Sequence, residues 1–148
     1  MQAGAAAQTV LTVSPDPITV TVRGAGTADV AIDSKSNNVT AVQLELKYDP
    51  TAITDVKLTT GDFLTQPIVL INRRDEKAGT VTYAIGINPS QKPRTGKGIV
   101  AHIAFSKVQA TKAKSTSLSL LDTSIVTSSG IDGSVLKSVS GAKVILSQ

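Results

Sequence analysis

Apolar and polar residues alternate with a period of two along most of the chain, and no segment repeats its apolar positions with a helical period. The clearest example is the stretch VQLELKYDP (42–50), which alternates until the chain reaches Asp49 and Pro50. Such alternation is typical of a strand with one buried face. Because proline lacks a backbone donor and fixes its own φ, the strand is predicted to end at Tyr48, whose ring would close one end of the core.

With this strand, at 39–48, the same pattern predicts strands at 9–13, 18–22, 28–33, 52–58, 67–73, 80–86, 99–108, 115–122 and 140–146. The prolines at 15 and 17 predict a kink at which the chain passes from one sheet to the other. The turn RDEKAG predicts a hairpin between the strands at 67–73 and 80–86, and we expect the terminal strands to pair. About nine strands without a crossover helix predict an all-β fold, an antiparallel jelly-roll β-sandwich of two sheets.

Length and composition favour one domain with an aliphatic core. The chain has 148 residues, 41% of them hydrophobic but only 3% aromatic. We assign 9–148 to the domain and interpret 1–8 as a linker remnant or an artificial end of the expressed chain. Without cysteine, disulfides and thiolate metal sites are excluded. No apolar run approaches the roughly 18 residues of a membrane helix, so we expect no membrane insertion.

The charge of the chain changes this interpretation little. The formal net charge is +4, and the excess lysines and arginines fall mainly in predicted turns. Nucleic-acid binding would require these cations on one face, interleaved with stacking aromatic rings. With two Tyr and two Phe in the whole chain, we expect no nucleic-acid partner.

Catalytic and metal-binding patterns are missing from the sequence. His102 is the only histidine and is predicted to face outward on its strand, and no serine lies in a Gly-x-Ser-x-Gly motif. The two glutamates, Glu45 and Glu76, fall in a strand and in a turn rather than as a pair across a sugar cleft. Asp132 is the only carboxylate in SSGIDGS, which does not match a calcium loop. We therefore predict no catalytic residue, no bound cofactor and no metal site.

Direct carbohydrate binding is also disfavoured by the aromatic residues. Sandwich modules that bind polysaccharides stack sugar rings on exposed Trp and Tyr, but the chain has no Trp. Tyr48, Tyr83 and Phe105 all occupy inward positions of predicted strands. Phe63, in a predicted loop, is the one ring expected to be exposed, and one ring is too small a platform.

The ordered set of motifs resembles the cohesin domain, the receptor module of cellulosomal scaffold proteins. The matching stretches run in order from about Thr9 to the C-terminus: VQLELKYDP, AITDVKL, GDFL, GTVTYAIG, GKGIVAHIAFSKV and SVSGAKVIL. The resemblance implies a nine-stranded jelly roll in a secreted or cell-surface protein. It also implies that the outer face of one sheet binds a dockerin, a small helical module that carries its own calcium and is attached to secreted enzymes.

The resemblance places this binding face on the strands at 39–48, 67–73, 80–86 and 115–122. The inward residues of these strands would then be Val42, Leu44, Leu46, Tyr48, Val81, Tyr83, Ile85, Leu118 and Leu120. The partner-binding residues implied by the resemblance are Ala41, Gln43, Glu45, Lys47, Thr82, Ala84, Ser117, Ser119 and Leu121.

One departure from the family pattern concerns the strand before Tyr-Asp-Pro. Cohesins that bind dockerins place Asn and Asp at outward positions where this chain has Ala41 and Gln43. Glutamine can still hydrogen-bond, but it lacks the charge-assisted strength of a carboxylate. Either the partner is a divergent one, or the fold serves another purpose. We expect a monomeric, non-catalytic extracellular protein-binding module, with a structural spacer as the main alternative and a carbohydrate-binding module as a weaker one.

Overall fold

A computed structural model describes residues 6–146, and the elements from Thr9 to Ile145 are all strands. The twelve strands are β1 (Thr9–Ser14), β2 (Ile18–Thr19), β3 (Ala25–Asp33), β4 (Val39–Tyr48), β5 (Ile53–Thr60), β6 (Ile68–Asp75), β7 (Thr80–Gly86), β8 (Lys97–Lys107), β9 (Ser115–Leu120), β10 (Ile125–Ser128), β11 (Leu136–Ser140) and β12 (Ala142–Ile145). No helix in the described part of the chain is long and apolar enough to cross a membrane.

The strands form two sheets packed as a jelly-roll sandwich. One sheet has five strands in the order β11-β1-β3-β8-β5, and the other has seven, in the order β2-β12-β9-β4-β7-β6 with β10 beside β4. Two pairings, β1 with β11 and β2 with β12, are parallel, and the other pairings are antiparallel. The predicted all-β sandwich is therefore confirmed, although both sheets are mixed rather than purely antiparallel.

The core lies between the sheets and is built from the alternating apolar positions. Every side chain predicted to point inward from β4, β7 and β9 is buried, and the aliphatic residues of β1, β3 and β8 cover them from the opposite sheet. Phe63 was expected to be an exposed ring, and this prediction is wrong. Its side chain is buried at 3% exposure, because the β5–β6 loop folds back so that the ring packs beside Gly98 and the Phe63 amide donates to the Ile99 carbonyl.

The Tyr-Asp-Pro motif ends β4 as predicted. Tyr48 is the last residue of the strand, and its ring is 4% exposed. The carboxylate of Asp49 accepts hydrogen bonds from the amide and the hydroxyl of Thr51, at 2.9 and 2.6 Å. Its carbonyl accepts from the amides of Ala52 and Ile53. The motif therefore closes a turn after a buried aromatic ring, which explains its place at the end of a long strand.

The two prolines after β1 separate strands of different sheets, which confirms the predicted kink. The β6–β7 hairpin is also confirmed. The predicted pairing of the terminal strands is wrong, because the chain changes sheets after β1: the last strand, β12, pairs with β2 in one sheet, while β1 pairs with β11 in the other. The predicted strand at 18–22 is shortened to its first two residues, and Val22 is 87% exposed in the turn that follows.

The first residues that the structure describes are held against the β3–β4 turn. Asn37 donates its side-chain amide to the Ala6 carbonyl and accepts from the Gln8 amide, at 2.8 and 3.0 Å. Of the segment 1–8 that we interpreted as a linker remnant, residues 1–5 lie outside the described residues. The domain limits at 9 and 148 stay a prediction.

Candidate functional site

The solvent side of the seven-stranded sheet, which we call the outer face, carries the residues predicted to bind a partner. Strand register places Gln43 opposite Ala84, and Glu45 opposite Thr82. On the other side of β4, Lys47 lies opposite Ser119. All nine predicted residues lie on β4, β7 and β9 or directly after β9, so the fold brings them onto one surface. Their role in binding stays a prediction.

The centre of the outer face is a hydrogen-bonded polar cluster. Gln43 donates from Nε2 to Glu45 Oε1 at 2.9 Å, and Thr82 donates from Oγ1 to Glu45 Oε2 at 2.7 Å. The three side chains are half-buried. Since each carboxylate oxygen can accept more than one hydrogen bond, Glu45 is held in place and still able to accept from donors of a partner.

Leu121 and the β9 serines border this cluster. Ser117 and Ser119 are outward on β9, exposed and half-buried respectively. Leu121 follows the last residue of β9, is half-buried, and donates its amide to the Glu45 carbonyl at 2.8 Å. The backbone of Leu121 therefore stays attached to β4 beyond the end of the β9 ladder.

One end of the outer face is apolar, and the sequence interpretation missed most of it. Ile125 on β10 lies opposite Gln43, and Ile71 on β6 lies opposite Ala84. A row of side chains thus crosses β10, β4, β7 and β6. Within this row Ala84 lies between Gln43 and Ile71; it points outward as predicted but is only 4% exposed. The signal for this end was the run of four aliphatic residues at 68–71 (IVLI), which cannot all face one core from a single strand.

The other end of the outer face carries cations. Lys47, Arg73 and Lys143 are exposed on β4, β6 and β12, and none of them forms a salt bridge with a described residue. Lys47 donates weakly to the Ala78 carbonyl, at 3.5 Å. Asp75 also belongs to this end, but its carboxylate accepts from two amides of the β6–β7 turn. The face therefore changes from apolar at one end, through a polar centre, to charged at the other.

The opposite, five-stranded sheet carries the only histidine. His102 is exposed on β8, as predicted, and its Nδ1 lies 2.7 Å from Asp29 Oδ1 on β3. Both side chains are about half exposed on an open sheet surface, at 54% and 42%. Within residues 6–146, no group of three or more His, Asp and Glu side chains could hold a metal ion.

We compared the chain with protein-family models, with curated proteins and with solved structures. A family model described as the cohesin domain matches residues 18–144. No curated protein matches the chain. The third cohesin of ScaC from Acetivibrio cellulolyticus, solved in complex with the ScaB dockerin, superimposes with a TM-score of 0.78 at 11% identity, covering 95% of this chain and 100% of that one.

Two other solved structures extend the range of similar proteins. The cohesin CaCohA2 from Clostridium acetobutylicum has a TM-score of 0.68 at 22% identity, with 95% of this chain and 91% of that one covered. A non-cellulosomal cohesin from the hyperthermophilic archaeon Archaeoglobus fulgidus also has a TM-score of 0.68, at 17% identity, with 96% and 93% covered. These similarities concern the fold.

Proposed function

The chain belongs to the cohesin domain family, and from that premise we propose that it is a receptor module that binds a dockerin-like protein through its outer face. Cohesin domains are non-catalytic binding modules, so the chain is not an enzyme. The calcium of such a complex would be carried by the partner. The domain would belong to a secreted or cell-surface protein and, as a monomer, would connect that protein to polysaccharide-degrading enzymes.

The observation that carries this proposal is the match of the family model over residues 18–144, together with the position of the nine predicted residues on one face. Solved structures similar to this chain include cohesins in complex with dockerins. Polar groups that are ordered before binding favour affinity, because ordering them on binding costs free energy. The hydrogen-bonded cluster of Gln43, Glu45 and Thr82 is ordered in this way.

The cluster also bears on the departure at Ala41 and Gln43. Glu45 lies two residues further along β4 and presents a carboxylate on the same face. In this proposal Glu45 supplies the charged acceptor that the strand lacks at 41 and 43, and Gln43 orients it. A hydrogen bond from a partner to this carboxylate is stronger than one to a neutral amide. The partner is therefore expected to differ from dockerins that recognise Asn and Asp at those positions.

The test of the proposed face uses Gln43→Ala and Leu121→Asp, with Thr59→Ala on the exposed surface of the opposite sheet as the control. Both variants should stay folded, because neither side chain belongs to the core and surface substitutions usually change stability by less than about 0.5 kcal/mol. Their affinity for a dockerin that binds the wild type, measured by isothermal titration calorimetry, should fall by about fivefold or more, since each loses a contact inside an interface. The control should bind as the wild type does.

Two outcomes would contradict the proposal. If both outer-face variants bind the dockerin as tightly as the wild type does, the partner uses another surface. The five-stranded sheet with His102 is then the next candidate. If no dockerin binds the wild-type domain at all, the structural spacer is the better interpretation.

A further inference from the structure

We infer that the partner inserts an uncharged aliphatic side chain into a cleft at the apolar end of the outer face; this inference rests on the proposed function. We call this depression the Leu70 cleft. It has a volume of about 450 Å³. Its apolar lining residues are Ala41, Leu70, Gly86, Ile87, Pro89 and Pro93, and the uncharged polar residues Thr40, Gln91 and Ser129 complete the lining. It would determine which partners the domain accepts.

The floor of the cleft is formed by the smallest residue of each of two neighbouring strands. Gly86 on β7 lies opposite Ala41 on β4. A Cβ at position 86 would lie 3.1 Å from Leu70 Cδ1 and 3.5 Å from Ala41 Cβ, so the missing side chain leaves the cleft open. Gly86 is not among the glycines with positive φ. Its backbone therefore does not require glycine, and the open space is the structural consequence of having glycine there.

The wall of the cleft is an aliphatic side chain left in water. Leu70 is 61% exposed and lies at an irregularity in the β6–β7 pairing, between Val69 and Ile71. Its neighbours Ile68 and Val69 are each 46% exposed. β6 is an edge strand, and exposed edges are usually protected by charged residues. An aliphatic edge without a charge between 68 and 71 is typical of a surface that a partner covers.

The lining of the cleft determines what it can accept. None of the residues that line it is ionisable. The hydroxyl of Thr40 is already hydrogen-bonded to the Thr127 hydroxyl at 2.9 Å, and the side-chain amide of Gln91 donates to the Gln66 side chain and accepts from the Asn88 amide, both at 3.2 Å. A charged side chain entering the cleft would lose its hydration without gaining an ion pair, which is unfavourable. An aliphatic side chain would gain burial against Leu70 and the two prolines.

The cleft is continuous with the predicted binding residues. Ala41 belongs to both, and the row of Ile125, Gln43, Ala84 and Ile71 passes two residues further along β4 and β7 on the same face. At the opposite end, Lys47 and Arg73 are cations without a salt bridge to a described residue. The partner that fits this face has an aliphatic side chain at one end of its contact surface and carboxylates at the other.

The experiment selects the partner chemistry directly. A phage-displayed dockerin scaffold, randomised at its exposed helix positions, is panned against the wild-type domain. Enriched clones are then measured by biolayer interferometry against Gly86→Val, which fills the cleft, and Leu70→Asp, which charges its wall. Val22→Asp is the control for Leu70→Asp because Val22 is also an exposed aliphatic residue, and Ala104→Val, exposed on the opposite sheet, is the control for Gly86→Val.

The expected result is enrichment of Leu, Ile, Val or Met at one contact position. Both cleft variants should raise the Kd by about tenfold, the effect of losing one well-buried contact, and both controls should leave it unchanged. Thermal unfolding checks that each variant is folded. If Gly86→Val does not fold, Leu70→Asp alone tests the cleft.

The affinities of the four variants distinguish failure of the cleft inference from failure of the proposed function. Clones that lose affinity for Gln43→Ala and Leu121→Asp but not for the two cleft variants would overturn the cleft and leave the proposed function intact. Enrichment of charged residues at every contact position would do the same. Clones that tolerate all four substitutions, or a selection that yields no clones, would overturn the proposed face and the cleft together.

Discussion

Asp49 shows how a single residue couples the strand end to pH. Hydrogen bonds from the hydroxyl of Thr51, and then from its backbone amide, hold the pKa of the Asp49 carboxyl below its ordinary value. The pKa of Asp33 is lowered in the same direction, first by the backbone amide of Lys35. A carboxyl whose folded pKa is depressed adds stability above its unfolded pKa of about 3.9, and that stability is lost as the pH falls through the folded value.

We therefore predict that Asp49→Asn makes stability less dependent on pH on the acid side. Asparagine can still accept from Thr51 through its side-chain oxygen, but it does not titrate. From about pH 5 downward, the melting temperature of the wild type should fall more steeply than that of the variant. Asp33→Asn is a second variant expected to reduce the slope. Equal slopes for wild type and Asp49→Asn, measured by circular dichroism melts, would contradict the prediction.

At the residue scale, the sequence predicts whether a side chain on a strand points inward or outward, but it does not predict how exposed that side chain is. Alternation placed the inward side chains of β4, β7 and β9 correctly, because the pleat of a strand imposes a period of two. Exposure depends also on what neighbours cover, and neighbours come from distant segments. Ala84 faces outward but lies between residues of β6 and β4 that leave it little exposed. Phe63 is buried in a loop, where the sequence shows no alternation of apolar and polar residues.

The β6–β7 hairpin depends on one glycine. Gly79 has φ +73°, and a Cβ there would lie 2.1 Å from the Tyr48 carbonyl oxygen, a backbone atom that cannot yield easily. The Gly79 carbonyl in turn accepts from the Tyr48 amide at 2.8 Å. This turn is therefore packed directly against the end of β4. Gly130 has nearly the same conformation, with φ +78°, but no heavy atom within 4 Å of its Cβ position.

The pair Gly79→Ala and Gly130→Ala separates backbone strain from crowding. Each substitution should lower the free energy of unfolding by roughly 1 kcal/mol, because alanine is strained in the left-handed conformation. Gly79→Ala should lower the free energy of unfolding by roughly 2 kcal/mol more, since either β4 or the β6–β7 turn must move to relieve the contact with the Tyr48 carbonyl. Urea unfolding of both variants measures the difference. Similar losses at the two positions would show that the turn gives way freely and that crowding is unimportant.

Strands in which apolar and polar residues alternate strongly could be predicted, whereas short strands with polar residues at inward-facing positions could not. β10 was missed because its inward positions include Ser128, a buried residue whose hydroxyl accepts from the Asn38 amide at 3.0 Å. β11 was missed because it is a largely exposed edge strand. The apolar end of the outer face depends on Ile125 of β10, so a missed element became a missed part of the candidate site.

At the scale of the whole molecule, burial of the aromatic residues restricts what the surface can bind. All four rings lie in the core: Tyr48, Phe63, Tyr83 and Phe105 are 2–4% exposed. The chain contains no Trp. The flat solvent sides of both sheets are therefore built from aliphatic, hydroxyl, amide and charged groups. Such surfaces can form a protein interface, but they offer no ring on which a sugar can stack.

We accordingly predict that the isolated domain is not retained on cellulose. The pull-down should use microcrystalline and amorphous cellulose, with a carbohydrate-binding module that has an exposed aromatic strip as the positive control. Enough salt should be present to screen the formal net charge of +4, because exposed charges interact only weakly beyond a Debye length of about 8 Å at physiological ionic strength. Retention that persists in salt and is competed by soluble cello-oligosaccharides would reveal a sugar site without an aromatic platform. That result would favour carbohydrate binding over the protein partner proposed for the outer face.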